Sequence, residues 1–195
     1  MENKKEFFNK MSERWDENDK VSPDKYRRVI GFLNIKKKDK ILDVGTGTGV
    51  LIPYILEYEK DVEIFAIDIA EKMIEKLKRK NFSKNVKVFV MDICKTSFKK
   101  DFFDKVIANA CFPHFDNKEM ALKEIYRILK RDGIFVISHP TGRDHVNDMH
   151  RKYEPVEKDI IEDIYTLSKF VEEFGFKLIE GIDEKDFFIV VFKKL

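Results

Sequence analysis

Ile41-Leu42-Asp43-Val44-Gly45-Thr46-Gly47-Thr48-Gly49 decides how this 195-residue chain is read. A short apolar run reaches an aspartate and then meets three alternate glycines. A helical pattern, Val50–Tyr58, follows at once. The order is therefore buried strand, glycine loop, helix. Glycine gives such a loop unusual dihedrals and lets a ligand lie against its backbone. A G-x-G-x-x-G dinucleotide loop needs a third glycine at position 50, where this chain has Val. Asp43 is also awkward beside a pyrophosphate. It suits a cationic ligand, directly or through water.

Further along, short apolar runs keep alternating with helical stripes. Glu63–Ile67, Val86–Met91, Phe103–Ala108 and Ile134–Ser138 read as strands. Between them Ala70–Lys80 reads as a helix with Met73, Ile74 and Leu77 inward. A second such helix starts at Asp116, with Glu119 three residues on, and ends at a left-handed cap on Gly133. Alternation of this kind argues for a parallel sheet with helices on both faces. A last stripe, Leu167, Phe170, Val171 and Phe174, stops at Gly175. Phe176–Ile182 and Phe187–Phe192 close the chain as a hairpin. The segment from His139 to Thr166 reads as irregular, with one helix around 156–165.

Toward the amino terminus, Phe7, Phe8, Met11 and Trp15 share one helical face. Ser22-Pro23 starts a second helix, carrying Tyr26, Val29, Ile30 and Leu33. The expectation is a single domain over 1–195, with helices in 1–35, a core in 36–138 and a substrate-side segment in 139–195.

Two more carboxylates end strands, as Asp43 does. Asp68 closes Ile64-Phe65-Ala66-Ile67-Asp68, 19 residues after Gly49, and can accept both hydroxyls of a ribose. Asp92 closes Val88-Phe89-Val90-Met91-Asp92 and can accept from an adenine amino group. Ile69, Met73 and Ile93 supply apolar walls. A lone aspartate after a strand is more often a turn or cap residue. Three on successive strands, with glycines at the first, favour a ligand.

Composition narrows the classes. Apolar residues make 43% and charged residues 38%, which is a globular composition. Lys+Arg is 38 against Asp+Glu 36, a formal charge of +2, so nothing calls for nucleic acid or an anionic membrane. The run Lys36–Lys38 reads as a solvated face. Cys94 and Cys111 imply no disulfide framework. No stretch approaches ~18 apolar residues, and MENKKEFF has no secretory-type core, so a cytoplasmic protein is expected.

On these residues the chain resembles the class I S-adenosylmethionine-dependent methyltransferases, strongly over 38–138. ILDVGTGTG looks like their first motif, IFAIDIAEKMIEKLK the second, and VKVFVMDI the third. FDKVIANACFPHF with ALKEIYRILKRDGIFVIS looks like the fourth and fifth, in the style of small-molecule enzymes related to quinone methylases. Arg131-Asp132-Gly133 stands where the family usually has proline-glycine-glycine. The resemblance implies a Rossmann-like, doubly wound α/β fold. Its seven-stranded sheet would run 3-2-1-4-5-7-6, with strand seven antiparallel and the N-terminal helices as a lid. It also implies S-adenosylmethionine as cofactor, contacted by Asp43, Gly45, Thr46, Gly47, Gly49, Asp68, Asp92 and the backbone near Asn109. The activity implied is in-line methyl transfer to a small acceptor.

All four histidines follow two adjacent strand tips, those ending at Asn109 and Ser138. His139, His145 and His114 are the candidates for proton transfer, histidine being the usual group near neutral pH. Cys111 lies close in sequence, but His145-x4-His150 does not suit one helical face, and no metal is assigned. Two other readings compete. One is a non-catalytic S-adenosylmethionine-binding regulatory protein. The other is a nicotinamide-dependent oxidoreductase, disfavoured by Val50 and Asp43. The sequence leaves the acceptor and the oligomeric state open.

Overall fold

A computed structural model describes residues 3–195. Residues 1 and 2 of the expected N-terminal lid lie outside the described residues. In chain order the helices are α1 (Lys4–Met11), α2 (Trp15–Asn18), α3 (Pro23–Phe32), α4 (Ile52–Tyr58), α5 (Glu71–Arg79), α6 (Lys118–Ile128), α7 (Arg143–His150) and α8 (Ile164–Glu172). The strands are β1 (Lys40–Val44), β2 (Glu63–Asp68), β3 (Val86–Val90), β4 (Phe103–Asn109), β5 (Leu129–His139), β6 (Phe176–Glu184) and β7 (Phe187–Lys194).

The strands form one sheet in the order β3-β2-β1-β4-β5-β7-β6. The first five are parallel, and β7 runs antiparallel to both β5 and β6. Register pairs Val44 with Ile67 and with Ala108, Asp68 with Val90, and Asn109 with Ser138. The carboxyl ends of β1 to β5 therefore finish at one rim, as the resemblance implied.

Strand residues alternate between two apolar layers, as the pleat demands. Leu42, Phe65, Val106, Phe135 and Ile137 face α6 and α8, meeting Leu122, Ile125, Leu167 and Val171. Ile41, Ile64, Ile107 and Val136 face the other way, meeting Val29, Ile30, Ile52, Ile55 and Leu77. The central strands are buried on both sides, which is why they read as continuous apolar runs.

Four expectations need correction. Asn117, not Asp116, caps α6, its side chain accepting from the Met120 amide at 2.9 Å. Gly133 does not end that helix with a left-handed cap; it lies inside β5, and Asp132 takes the positive φ of 61° at a break in strand register. Within 139–166 the helix lies at Arg143–His150 and not at 156–165. Finally, α3 is core rather than lid, since Tyr26, Val29 and Ile30 are buried against α4. Pro23 opens it as expected, but the Ser22 side chain makes no capping bond. Among the described residues no helix is long and apolar enough to cross a membrane.

Candidate functional site

A cavity of about 390 Å³ opens at the rim where β1, β2 and the segment after β3 end. Its floor is the glycine loop. Gly45 and Gly47 adopt positive φ, 61° and 56°. A Cβ on Gly47 would lie 3.3 Å from the Trp15 indole nitrogen, a tight contact, so the bare backbone lets Trp15 lie close against the loop. Gly49 serves packing instead. A Cβ on it would fall 2.0 Å from a Leu77 methyl, so the glycine lets α4 begin hard against α5.

Asp68 stands at the centre of this rim. One carboxylate oxygen accepts the Gly47 amide at 2.9 Å and the other accepts the Ala70 amide at 2.8 Å. Burial nonetheless pushes its pKa above the usual carboxylate range, more than those backbone bonds lower it. Asp92 lines the same cavity and accepts the Cys94 amide at 2.8 Å. Ile69, Met73, Met91 and Ile93 complete an apolar wall.

The expected ligand residues thus divide. Gly45, Gly47, Asp68, Ile69, Met73, Asp92 and Ile93 line the cavity, whereas Asp43, Thr46, Gly49 and Asn109 do not. Asp43 is 1% exposed and accepts the Thr46 hydroxyl at 2.6 Å, holding the loop from within. Burial raises its pKa to about 7, although the Thr46 bond acts the other way. Asn109 is committed to the Ser138 hydroxyl at 2.8 Å.

The histidines divide too. His114 lines the cavity, and its Nδ1 lies 2.8 Å from Asp159. Phe8 packs edge-on against its ring at 5.0 Å, and the His150 ring lies 4.7 Å away. Asp159 also binds the Lys4 ammonium at 2.8 Å. Burial raises the Asp159 carboxyl, but the bonds from His114 and Lys4 outweigh it and hold the pKa below the usual range. His139 is not in this cavity. It is buried on the face of β5 that carries Phe135 and Ile137, against α8. His145 is exposed on α7 and lines none of the cavities described here. Of the three candidates, only His114 is brought to the glycine loop. Among the described residues no group of three or more His, Cys, Asp or Glu is placed to hold a metal ion.

Sequence reading missed Lys4, Lys5 and Asp159. Their partners lie far away in the chain, and their own neighbours carry no periodic signal. Phe8, Trp15 and Phe115 also line the cavity, whereas Phe112 is buried behind it.

The residues fit a cationic nucleoside. A bare glycine backbone, carboxylates at two successive strand ends and a thioether-rich apolar wall match a positive centre, ribose hydroxyls and a flat base. The N-terminal helical segment lies over this same place, with Phe8 and Trp15 in the cavity wall. Asp16 accepts the Thr48 hydroxyl of the glycine loop, and Lys76 of α5 donates to the Glu13 carbonyl at 2.7 Å.

Comparison with known proteins agrees. Residues 42–137 match a family described as "Methyltransferase domain". A malonyl-[acyl-carrier protein] O-methyltransferase from Acetivibrio thermocellus is 30% identical over 155 residues, covering 78% of this chain and 54% of that protein. A demethylmenaquinone methyltransferase from Bacteroides fragilis is 29% identical over 122 residues, covering 60% of this chain and 50% of that one. The chain spans about half the length of the curated relatives it matches. In fold it is similar to a SAM-dependent methyltransferase from Aquifex aeolicus, with a TM-score of 0.76 at 19% identity, over 96% of this chain and 98% of that one. The matched motifs are those that build the glycine loop and the acidic rim, and over residues 42–137 the chain carries a methyltransferase domain of the class I S-adenosylmethionine-dependent type, whose cofactor is S-adenosylmethionine.

Proposed function

We propose that this chain transfers a methyl group from S-adenosylmethionine to a small-molecule acceptor, with His114 taking up the proton that the acceptor releases. The observation that carries this reading is the position of His114. It shares one cavity with Gly45, Gly47, Asp68 and Asp92, and a buried carboxylate binds its Nδ1.

Bound in the cleft, the sulfonium supplies an already activated methyl group. The chain's own task is proximity, alignment and exclusion of water. Asp68 is placed to hold ribose hydroxyls and Asp92 the base. Phe8 and Trp15 close the cleft toward solvent. Asp159 accepts from His114 Nδ1, which fixes the tautomer and leaves Nε2 as the proton-accepting atom. A carboxylate that orients an imidazole also stabilises the imidazolium once it forms. This arrangement suits an acceptor that must lose a proton, such as a hydroxyl, an amine or an acidic carbon.

The named relatives act on a malonyl-carrier and on demethylmenaquinone, and neither acceptor is a nucleic acid. That supports a small acceptor here, as does the near-neutral charge of +2.

The test is S-adenosylhomocysteine formation from a pool of hydroxylated and amino acceptors. Turnover by the native chain is expected. His114→Gln should lower kcat by about 10²–10⁴-fold, the span of a positioned general base, with cofactor affinity within about twofold. Unchanged kcat in that variant would remove the base. Cofactor binding with no turnover on any acceptor would favour a regulatory binding protein.

A further inference from the structure

A second cavity, about 460 Å³, lies on the other side of the loop after β4. Cys111, His114 and Phe115 face the cofactor cleft, while Phe112, Pro113 and Lys118 face this cavity. Ile137 and His139 of β5 form its floor, and Ile161, Leu167 and Phe170 cover it. None of its lining residues lines the cleft.

His139 is the anomaly in this mostly apolar space. It is 1% exposed, and its Nε2 has no hydrogen-bond partner among the described residues. Buried polar atoms are nearly always paired, and an unpaired one carries a desolvation penalty. Side chains alternate along β5, so His139 shares the face of Phe135 and Ile137, the face that α8 covers. Burial, with His114 and His150 nearby, lowers its pKa well below the usual value, and the ring is neutral at physiological pH.

We infer that this cavity is a second small-molecule site, which takes an apolar or aromatic molecule carrying one uncharged hydroxyl hydrogen-bonded to His139 Nε2. Shape and lining select the apolar body. The unpaired nitrogen selects the hydroxyl, because a hydrocarbon would leave it unsatisfied. An anionic head is selected against. At the buried end it would meet only a neutral imidazole, and an unpaired buried charge is costly. Lys118 gives one of its three donors to the Pro113 carbonyl at 2.9 Å. Lys158 is exposed at the rim beside Glu162.

This site does not depend on the methyl-transfer reading, and the test keeps them apart. S-adenosylhomocysteine is titrated first, which reports on the cleft alone. p-Cresol, toluene and 4-methylbenzoate are then titrated into the full chain, followed by methyl resonances. With p-cresol, Ile137, Ile161 and Leu167 are expected to shift while Ile69 and Met73 stay still. Toluene should bind about tenfold more weakly, the size of one unmade buried hydrogen bond, and 4-methylbenzoate should not bind. His139→Phe should bring p-cresol and toluene to equal affinity and leave S-adenosylhomocysteine affinity within about twofold. Should that variant fail to fold, Ile160→Trp, at the exposed rim, should block p-cresol instead. Shifts confined to Ile69 and Met73, no shift with any compound, toluene binding as tightly as p-cresol, or 4-methylbenzoate binding more tightly would each overturn the inference.

Discussion

Asp43 shows how one residue can be read as important while its structural task goes unread. Its place before the glycines suggested a ligand contact. In the structure it is sealed beneath the loop with Thr46 as its partner. Its energetic signature follows from that burial. In an unfolded chain an aspartate titrates near ~3.9. In the folded chain Asp43 titrates at about 7. Between those values the native state holds a proton that the unfolded state has released. Stability of the ligand-free protein therefore falls as pH rises from about 4 to about 7, then levels off. Asp68 is raised by burial too and contributes with the same sign. Asp43→Asn should flatten the slope without abolishing it. Thermal unfolding at pH 5, 6, 7 and 8 checks this, and equal slopes in both proteins would show that Asp43 is not the group responsible.

At the scale of elements, the legible parts were those whose neighbours in sequence are also their neighbours in space. β1 was legible because its apolar run meets glycine at a boundary that is both structural and chemical. α7 was missed because its sequence, Arg143–His150, buries Val146 together with Asn147 and His150, two polar residues. Asn147 is satisfied by the Ile161 backbone at 3.0 and 2.8 Å, a pairing across 14 residues that no periodicity announces. The cofactor loop was legible for the same reason as β1, since it is local. The latch on α1 was not, because Lys4 reaches Asp159 from 155 residues away. That latch makes a prediction of its own. Lys4 bridges Asp159 and Asp116 and donates to the His114 carbonyl at 3.2 Å. Lys4→Met removes the tie while keeping the apolar stem, so α1 should open more often. Its Asp159 partner is largely buried, so the pair is worth more than a surface bridge, on the order of 1–2 kcal/mol. S-adenosylhomocysteine should dissociate about tenfold faster, and protease cleavage within residues 12–22 should speed up in step. Unaltered dissociation would mean that α1 is held by its Glu71 contacts alone.

Across the whole molecule the N-terminal segment and the sheet are held by different interactions. The two apolar layers hold the sheet between α6 and α8 on one side and α3, α4 and α5 on the other. Among the described residues, neither layer draws a fully buried member from before Tyr26. The lid is attached by other means. Ion pairs and hydrogen bonds tie Lys5 and Asn9 to Glu71, Lys76 to Glu13, and Thr48 to Asp16, while Phe8 and Trp15 roof the cleft. The Lys5 and Lys76 bonds are exposed and the Asn9 and Thr48 bonds part-buried, and bonds open to solvent are individually weak. Removing residues 1–18 should therefore cost the Lys4 pair and a few weaker ties, on the order of 2–4 kcal/mol, which for a chain of this size moves Tm by about 4–16 °C. Unfolding should stay a single cooperative transition. Cofactor affinity should respond differently, because the cleft loses its roof and its water exclusion while keeping Gly45, Gly47, Asp68 and Asp92. A fall of tenfold or more in S-adenosylhomocysteine affinity is expected, with the pH slope from Asp43 preserved. Calorimetry of unfolding and of binding on the same shortened chain separates the two. Collapse of the cooperative transition would show that the lid belongs to the core, and undiminished affinity would show that it plays no part in holding the cofactor.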